Sequence, residues 1–459
     1  MRFKLITDLS SDNLKGLVLS LAIPSMLSQL ISVFYSIVDR MYIGNIPVIG
    51  DVALAGVGVV GPIVTMITSF AFLVGIGGSP LLSKSLGENK TERAYDIIRN
   101  CFYLILIIAG LVTLGAYIIK DPMLYAFGAS EQLFPYANEY FSVYLIGIVF
   151  SLIATGLNQL IICQGFGKQG MFSVVLGAVL NIALDPIFIF VFNMGIKGAA
   201  IATVISQCAS CLFVLKFLFS PYALIKITFG KPNFKLMGEI IKIGLTSFLI
   251  VIFDNFMLIA LNAVLQRYGG PGYGDMLLTC NTILQSFMLI ITMPLGGLTT
   301  GTQTILGYNY GARKPEKIIE AQKVIMKMGV IFCSIMFVVA WLFSKPFVLI
   351  FTRTPEYVDL TVRIIRLSTI GVIPLAIQYG IVDGYTALGQ VHISLPLSAL
   401  RKVVYFICVF LLPLWLPIDY VFIAETISDI LPEIVTITTY HFTKKKLLRM
   451  NDNLKQEMV

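Results

Sequence analysis

The sequence predicts an all-α polytopic membrane protein with twelve transmembrane helices in two six-helix lobes. The chain has 459 residues, of which 57% are hydrophobic and 13% charged, with a mean hydropathy of +0.88. Soluble domains carry about 25% charged residues. Apolar windows of about 20 residues, long enough to cross a bilayer, recur along the whole chain. Glycines and prolines also recur at one constant offset between its halves, which predicts two lobes of the same fold.

Composition and residue counts argue against nucleic-acid binding, a disulfide framework and a histidine metal site. The net charge of +8 could suggest nucleic-acid binding, but the basic residues concentrate in short loops between apolar runs, which is typical of membrane topology. The odd number of cysteines, seven, indicates no disulfide framework, and two histidines are too few for a histidine metal site. The sequence contains no metal-ligand cluster and no nucleophile–histidine–acid set. We therefore expect neither an enzyme nor a bound cofactor.

The predicted spans follow a polar N-terminal segment, Met1 to Lys15. The first apolar run is too long for a signal-peptide core, so we expect it to be retained as a helix. Helix-breaking prolines interrupt several spans, which helical bundles tolerate because neighbouring groups satisfy the backbone. The twelve spans are 15–42, 52–81, 96–119, 136–161, 170–193, 197–219, 238–265, 276–306, 321–343, 358–388, 393–414 and 418–441.

Lysine and arginine set the expected orientation. Alternate loops, starting with the N-terminal segment, hold 23 of these residues, whereas the opposite loops and helix ends hold 7. Because cytoplasmic loops carry the excess of basic residues, this bias predicts that both termini are cytoplasmic. The expected location is the plasma membrane.

An internal repeat relates the two halves at an offset of 224 residues, and it continues over about 90 residues. At this offset Gly87 aligns with Gly311, and Pro122 aligns with Pro346. Each half has an even number of helices, so both enter the membrane in the same direction and form a parallel repeat. The other matching pairs are Gly77 with Gly301, Phe127 with Phe351, Gly147 with Gly371, Gly156 with Gly380 and Gly165 with Gly389.

The repeat predicts the domain boundaries. Residues 1–219 form the N-terminal lobe and residues 237–441 the C-terminal lobe. Residues 220–236, which contain three lysines and two prolines, form a cytoplasmic linker between the lobes. Residues 442–459 form a cytoplasmic tail. Parallel repeats of this kind place substrate sites near the interface between the halves.

The fifth span contains the most informative polar residues. Asp185 lies inside an apolar run from Met171 to Phe192, where a charge costs roughly 2.5–3.5 kcal/mol on insertion scales. Asn181 lies four residues earlier, on the same helix face. Pro186 removes a backbone donor and favours a kink that frees a carbonyl beside these side chains. The stretch suits a small cation or an exchangeable proton; the alternative is a polar contact between helices.

Further motifs carry a family resemblance. Glycine-flanked segments follow the second helix of each half, Gly77-Gly78-Ser79 with Gly87-Glu88-Asn89-Lys90, and Gly301-Thr302-Gln303 with Gly311-Ala312-Arg313-Lys314. Together with the Asn-Ile-x-Leu-Asp-Pro box and Ala387-Leu388-Gly389-Gln390, they resemble the multidrug and toxic compound extrusion (MATE) transporters, in a bacterial branch. The resemblance covers essentially the whole chain. It implies two lobes around a central V-shaped cavity and cation-coupled efflux of organic cations and drugs by alternating access.

The resemblance also implies a cation-coupling site in the first lobe. The proton and Na⁺ both remain open as the coupling ion, and Na⁺ would be bound at Asp39, Asn181 and Asp185. From the residues themselves, Asp39 lies about 36 Å along its helix and Asp185 about 23 Å along its own, so both could reach the outer half of the bundle. Two carboxylates, two amides and a hydroxyl would also suit a small hard cation. The residues that match the family site are Asp39, Asn158, Asn181, Asp185 and Thr203.

The second lobe has intramembrane acids of its own. Asp254 and Asn255 lie in the seventh predicted helix and Asp383 near the inner end of the tenth. In another branch of the family, acids on these two helices bind the cation, but the local sequences differ here. We therefore expect these three residues to line the substrate cavity.

The last predicted helix carries Glu425, Asp429 and Glu433 at four-residue spacing, on one face. Arg401 on the eleventh helix lies about as deep as Glu433, roughly 12 Å from the inner helix ends. We expect Arg401 and Glu433 to form a buried structural ion pair, which would leave Glu425 and Asp429 to face the cavity and attract cationic drugs.

Two functions are consistent with these sequence features. The leading prediction is a secondary multidrug antiporter, acting as a monomer on cationic or amphipathic drugs, with a role in antibiotic resistance. The alternative is a flippase for lipid-linked oligosaccharides from the same superfamily. A pyrophosphate substrate would favour a cationic cavity, because arginine and lysine bind phosphate. The buried acids of this sequence outnumber its buried bases, which favours the antiporter.

Overall fold

The computed structural model describes residues 9, 11–47, 49–127, 129, 131, 133–270 and 273–457. Within these ranges the fold is all-α, as predicted, and it has twelve long helices and one short one, Lys120–Ala126. The long helices are α1 (Leu14–Gly44), α2 (Gly50–Gly87), α3 (Thr91–Ile118), α4 (Phe134–Ile162), α5 (Gly167–Val191), α6 (Gly195–Phe219), α7 (Phe234–Gly269), α8 (Tyr273–Gly311), α9 (Pro315–Val348), α10 (Pro355–Ala387), α11 (Val391–Trp415) and α12 (Ile423–Glu457).

Eleven of the described helices are long and apolar enough to cross a membrane. The other long helix is α12, which carries Glu425, Asp429 and Glu433 and is therefore less apolar than the rest. It follows a short 3₁₀ turn, Ile418–Phe422, and continues to Glu457. The sequence predicted a tail from residue 442, because the charged run after His441 ends the hydropathic window. That run does not end the helix, since lysine and leucine are good helix formers.

Helix ends have local causes. The Asn13 side chain caps α1 by accepting a hydrogen bond from the Gly16 backbone at 3.1 Å, and Asn233 caps α7 in the same way through Leu236. Side-chain oxygens at these positions satisfy donors that the first helical turn leaves without partners. Outward-facing apolar side chains, such as Trp415 with an exposed fraction of 82%, suit hydrocarbon and not water.

The turns repeat between the halves. After α2, Asn89 has a φ of 58°, and after α8, Arg313 has a φ of 54°. After α4 and α10 the corresponding left-handed residues are Gly165 and Gly389. Both pairs are 224 positions apart, which is the offset found in the sequence. The same backbone conformation at the same repeat position supports the parallel repeat.

Two main hydrophobic cores account for most of the buried side chains, one in each lobe. The first joins residues of α2 to α6 with Ile43 near the C-terminal end of α1, and it also contains Leu236, Met237 and Ile240 from the beginning of α7. The second joins residues of α7 to α12, and it also contains Leu14, Val18 and Leu21 from the beginning of α1. Helix α1 therefore packs with the second lobe at its first half and with the first lobe at its last half. Pro24, which lies between the two halves, removes one intrahelical hydrogen bond.

The lobes meet at the helix ends that are predicted to be cytoplasmic, where glycines allow backbone contact. A Cβ on Gly87 of α2 would lie 2.0 Å from the carbonyl oxygen of Tyr308 in α8. A Cβ on Gly311 of α8 would lie 2.0 Å from the carbonyl oxygen of Lys84 in α2. No other residue type fits at such a distance. The two aligned glycines thus make one reciprocal contact between the lobes.

Candidate functional site

The centre of the first-lobe site is Asp185, a fully buried acid on α5. Asn181, one turn earlier, donates its Nδ2–H to the Asp185 Oδ1 atom over 3.0 Å. The α-helical part of α5 ends at Pro186, and the next five residues, Ile187–Val191, form a π-helical turn. Proline cannot donate the backbone hydrogen bond that would continue the helix. The helix is therefore widened directly beside the buried acid, a distortion that is frequent at functional sites.

Asp39 of α1 lies near Asp185, close enough for the two carboxyl groups to interact electrostatically. Three carboxyl and amide oxygens here are buried and have no hydrogen-bond partner within the described part of the chain: Oδ1 of Asp39, Oδ2 of Asp185 and Oδ1 of Asn181. Buried polar atoms normally have partners. These oxygens can therefore bind a proton or a small cation without breaking an existing hydrogen bond.

Thr203 of α6 completes the cluster. Its hydroxyl accepts a hydrogen bond from Asn181 Nδ2 at 3.3 Å and donates one to the Ala199 carbonyl at 3.0 Å. The phenol of Tyr140 on α4 lies beside Thr203. The amide of Asn181 therefore connects the acid on α5 to the hydroxyl on α6. The structure brings four of the five predicted site residues together.

Asn158 lies apart from that cluster. Its Oδ1 atom accepts a hydrogen bond from Ser173 of α5 at 3.0 Å. Ser173 precedes Asn181 by eight residues, or about 12 Å along the helix. In this conformation, then, Asn158 contacts α5 two turns away from the carboxylate pair. Its predicted role in cation binding is not supported by direct contact.

The donor set decides which groups the site fits. The described residues contain no group of three or more histidine, cysteine or acidic side chains that could hold a metal ion. Two carboxylates with amide and hydroxyl oxygens are hard ligands, which suit Na⁺ or a proton and not a transition metal. Asp39, Asp185, Asn181 and Thr203 would hold such an ion.

In the second lobe the predicted cavity residues have separate partners. Asp383 of α10 accepts a hydrogen bond from the Thr299 hydroxyl of α8 at 2.5 Å. Asn255 of α7 donates to the Val251 carbonyl of its own helix. Asp254, whose side chain is 49% exposed, forms an ion pair with the buried Lys402 of α11. These three residues are therefore not gathered into one cluster.

The structure corrects the predicted ion pair of α11 and α12. Arg401 pairs with Asp429, with 2.7 Å between Nε and Oδ1, and not with Glu433. Both carboxylate oxygens of the buried Glu433 lack hydrogen-bond partners among the described residues. The predicted partner was wrong by one helical turn, because the helix ends from which depth was counted were uncertain by several residues. Asp429 is consequently not free to face a cavity, whereas Glu425 remains half-buried.

Sequence reasoning missed Tyr140, Ser173 and Thr299. All three lie on other helices than the residues they contact, at sequence separations from 15 to 84. A single tyrosine, serine or threonine in an apolar helix carries no signal of its partner. Only their rarity as polar groups in apolar spans could have drawn attention to them.

A protein-family model described as MatE matches residues 24–187 and 246–411. The chain belongs to the MatE family. The two matched segments lie one in each half, so the MatE model itself repeats, as the 224-residue offset predicted. The first segment includes Asp39, Asn181 and Asp185, whereas Thr203 lies outside it.

Curated relatives and solved structures agree with the MatE assignment. Multidrug export protein MepA of Staphylococcus aureus (strain MSSA476) is 26% identical over 374 residues, which cover 80% of both chains. MepA of Staphylococcus haemolyticus (strain JCSC1435) is 24% identical over 371 residues, again with 80% of both chains covered.

Two solved structures show the same fold. An outward-facing multidrug resistance MATE family transporter has a TM-score of 0.90 at 23% identity, and the match covers 97% of this chain and 99% of that one. A MOP superfamily transporter from Pyrococcus furiosus, described as having a binding pocket of reverse polarity, has the same TM-score and identity and covers 97% and 98%. The predicted twelve-helix, two-lobe MATE fold is confirmed.

Proposed function

We propose that this MatE chain is a secondary multidrug antiporter that exports organic cations and drugs in exchange for protons. The transport cycle is alternating access between the two lobes. The observation that carries the proposal is the proximity of two acids on different helices, the fully buried Asp185 and the half-buried Asp39. Two ionised carboxylates that lie close together repel each other, and a proton bound to one of them removes the repulsion.

This pair couples protonation to conformation because its two acids lie on helices with different partners. Asp185 belongs to α5 in the first lobe, whereas the first half of α1, which carries Asp39 further on, packs with the second lobe. A change in charge at the pair therefore acts on a helix that packs with both lobes. An ion biases a conformational equilibrium only through different affinities for its states, and a pair that closes or opens with α1 provides that difference.

The drug substrate is proposed from the relatives and from the charge of the protein interior. The MepA relatives are named as multidrug export proteins. Two intramembrane acids of the second lobe, Asp383 and Glu425, are only partly buried and would attract a cationic ligand. Flexible methionine and phenylalanine side chains can adapt to varied apolar drugs. A flippase for lipid-linked oligosaccharides fits less well, because the two basic residues of α11, Arg401 and Lys402, are already paired with acids.

The setting of the proposal is a multi-pass membrane protein in the plasma membrane, with both termini cytoplasmic, that works as a monomer. Under this topology the reciprocal glycine contact between α2 and α8 closes the cytoplasmic side. Export then requires that contact to open when the drug enters. A function in antibiotic resistance follows if the exported compounds include antibiotics.

The test is transport of a fluorescent organic cation into inverted vesicles, driven separately by a pH gradient and by a sodium gradient. We expect the pH gradient alone to drive uptake. Uptake driven only by sodium would overturn the proton as coupling ion while keeping the antiporter. Absence of uptake with either gradient, together with movement of a lipid-linked oligosaccharide, would replace the antiporter with the flippase.

A matched pair of variants locates the coupling site. Asp185→Asn keeps the shape of the side chain and removes its charge change, so we expect gradient-driven transport to stop while drug binding in detergent survives. Asp383→Asn should reduce transport less, because Asp383 is hydrogen-bonded to Thr299 and has no acidic partner among the residues that the structure describes. Normal transport by Asp185→Asn and none by Asp383→Asn would move the coupling site to the second lobe.

A further inference from the structure

We infer that a cavity between α9 and α10 binds the phosphodiester group of an anionic phospholipid in the outer leaflet. The outer leaflet follows from the proposed orientation of the chain. The cavity has a volume of about 440 Å³. It lies where α9 ends and α10 begins, far along the chain from the carboxylate pair of the first lobe. Its lining includes Trp341, Lys345, Asp359, Arg363, Arg366 and Ile370.

The charge of the cavity lining favours an anionic ligand. Three basic side chains and one acidic side chain line the cavity, so it carries a net positive charge. These three bases belong to the group of only 7 lysines and arginines on the side of the membrane that is poor in them. Arg353, a fourth member of the group, lies in the turn that joins α9 to α10. An anionic headgroup would complement this net positive charge.

The contacts of Arg366 also favour a phosphate ligand. Arg366 donates one Nη2–H to the Trp341 carbonyl at 3.1 Å, and its guanidinium group lies 5.6 Å from the centre of the Trp341 ring. Its Nε atom is buried and has no hydrogen-bond partner among the described residues. A guanidinium group has five N–H donors. Arg366 is therefore fixed in place by the protein, and the remaining N–H groups of its two Nη atoms, not the buried Nε, are the donors for a phosphate.

Arg363 is held in place by Tyr420. It donates an Nη2–H to the Tyr420 hydroxyl at 2.8 Å, and its guanidinium group lies 5.1 Å from the centre of that ring. Tyr420 belongs to the 3₁₀ turn before α12. The two arginines are one turn apart on α10, so both face the same cavity. Tryptophan and tyrosine at this level are typical of the boundary between hydrocarbon and water.

Apolar side chains lie below the basic side chains of the cavity. Trp341 and Ile370 line the cavity, and each has an exposed fraction of 42%. On α9 the next residue, Leu342, is exposed to 66%. In a membrane, acyl chains are the natural cover for such side chains. A ligand with a phosphate above and an acyl chain below therefore matches the lining, whereas a free phosphate matches only its basic part.

The test uses the full-length protein in detergent and measures its thermal unfolding with added lipid. We expect phosphatidylglycerol to raise the melting temperature, and phosphatidylcholine at equal concentration to raise it much less, since the zwitterionic headgroup has no net charge. Glycerol phosphate is the soluble probe. A shift with glycerol phosphate as large as that with phosphatidylglycerol would overturn a lipid site, because the acyl chain would then contribute nothing.

Single-residue variants test whether the shift in melting temperature arises from lipid bound at this cavity. Arg363→Gln and Arg366→Gln should each lose at least half of the shift caused by phosphatidylglycerol, whatever their melting temperature without lipid. Arg353→Gln is the matched control, because it removes the same charge on the same side but does not line the cavity, and it should keep the shift. Equal shifts in all three variants, or no preference for phosphatidylglycerol in the parent protein, would show that the proposal is wrong.

Discussion

Arg401 of α11 donates its Nε–H to Asp429 of α12 across 2.7 Å, and the acceptor carboxylate is completely buried. The neighbouring residue Lys402 binds Asp254 of α7. Two consecutive basic residues on one helix thus hold the acids of two others. This arrangement links α7, α11 and α12 in the second lobe through charge as well as through apolar packing.

Removal of Arg401 should destabilise the protein. Arg401→Ala leaves the buried Asp429 carboxylate without its partner, which costs roughly 3–5 kcal/mol. Thermal unfolding in detergent should show a clear fall in melting temperature, and the exchange of the two residues, Arg401→Asp with Asp429→Arg, should restore part of it. Glu433→Gln is the control, because the Glu433 oxygens have no hydrogen-bond partner to lose within the described part of the chain. A normal melting temperature for Arg401→Ala would mean that the pair contributes nothing.

Asn181 and Asn158 should differ in their effect on coupling. Asn181→Ala removes the hydrogen bonds to Asp185 and Thr203, so we expect gradient-driven transport to fall by tenfold or more, about 1.4 kcal/mol. Asn158→Ala removes only an acceptor for Ser173 in this conformation and should reduce transport less. Transport assays at matched expression levels compare the two. Equal losses would indicate that Asn158 joins the site in another state of the cycle.

The glycine contact between the lobes should be sensitive to a single methyl group. Gly87→Ala places a Cβ 2.0 Å from the Tyr308 carbonyl, so the lobes must separate at that end. A cysteine at the buried Ser83, in a background without native cysteines, should then react faster with a thiol reagent. Gly110→Ala is the control, because no atom lies within 4 Å of the added methyl group. Unchanged labelling in Gly87→Ala would mean that the contact yields without separation of the lobes.

The predicted topology can be tested by labelling. Single cysteines at Lys90, Lys231 and Lys314 should resist an impermeant thiol reagent in intact cells and react after permeabilisation. The expectation rests on the excess of basic residues in these loops, 23 against 7. A cysteine at Arg353, on the opposite side, should react in intact cells. Reversal of this pattern would place both termini outside.

Features of the fold that depend on local sequence could be predicted, since they follow from hydropathy and from the repeat. Apolar windows located the twelve helices, and the offset of 224 located the equivalent turns at Asn89 and Arg313. The contact of Asn181 with Asp185 also followed from the sequence, because residues four apart lie on one helix face. In each case the relevant residues are near neighbours or are related by the repeat.

Contacts between helices could not be predicted to the nearest turn. Arg401 and Asp429 are 28 residues apart, and an error of four residues in a helix end is about 6 Å of depth, which is enough to select Glu433 in place of Asp429. Asp254 and Lys402 are 148 residues apart. Nothing in either local sequence names the partner, since the rotation of each helix about its axis is set by packing.

The reciprocal contact of Gly87 with Tyr308 and of Gly311 with Lys84 has the symmetry of an isologous interface, in which the same patch is used twice. Residues 84 and 308 are related by the same offset of 224 as the two glycines. A six-helix protein that paired with an identical copy would form this contact without a linker. The present chain is therefore equivalent to a dimer joined end to end. The two halves nonetheless differ in charge, since the carboxylate pair lies in one half and the ion pairs of Arg401 and Lys402 lie in the other.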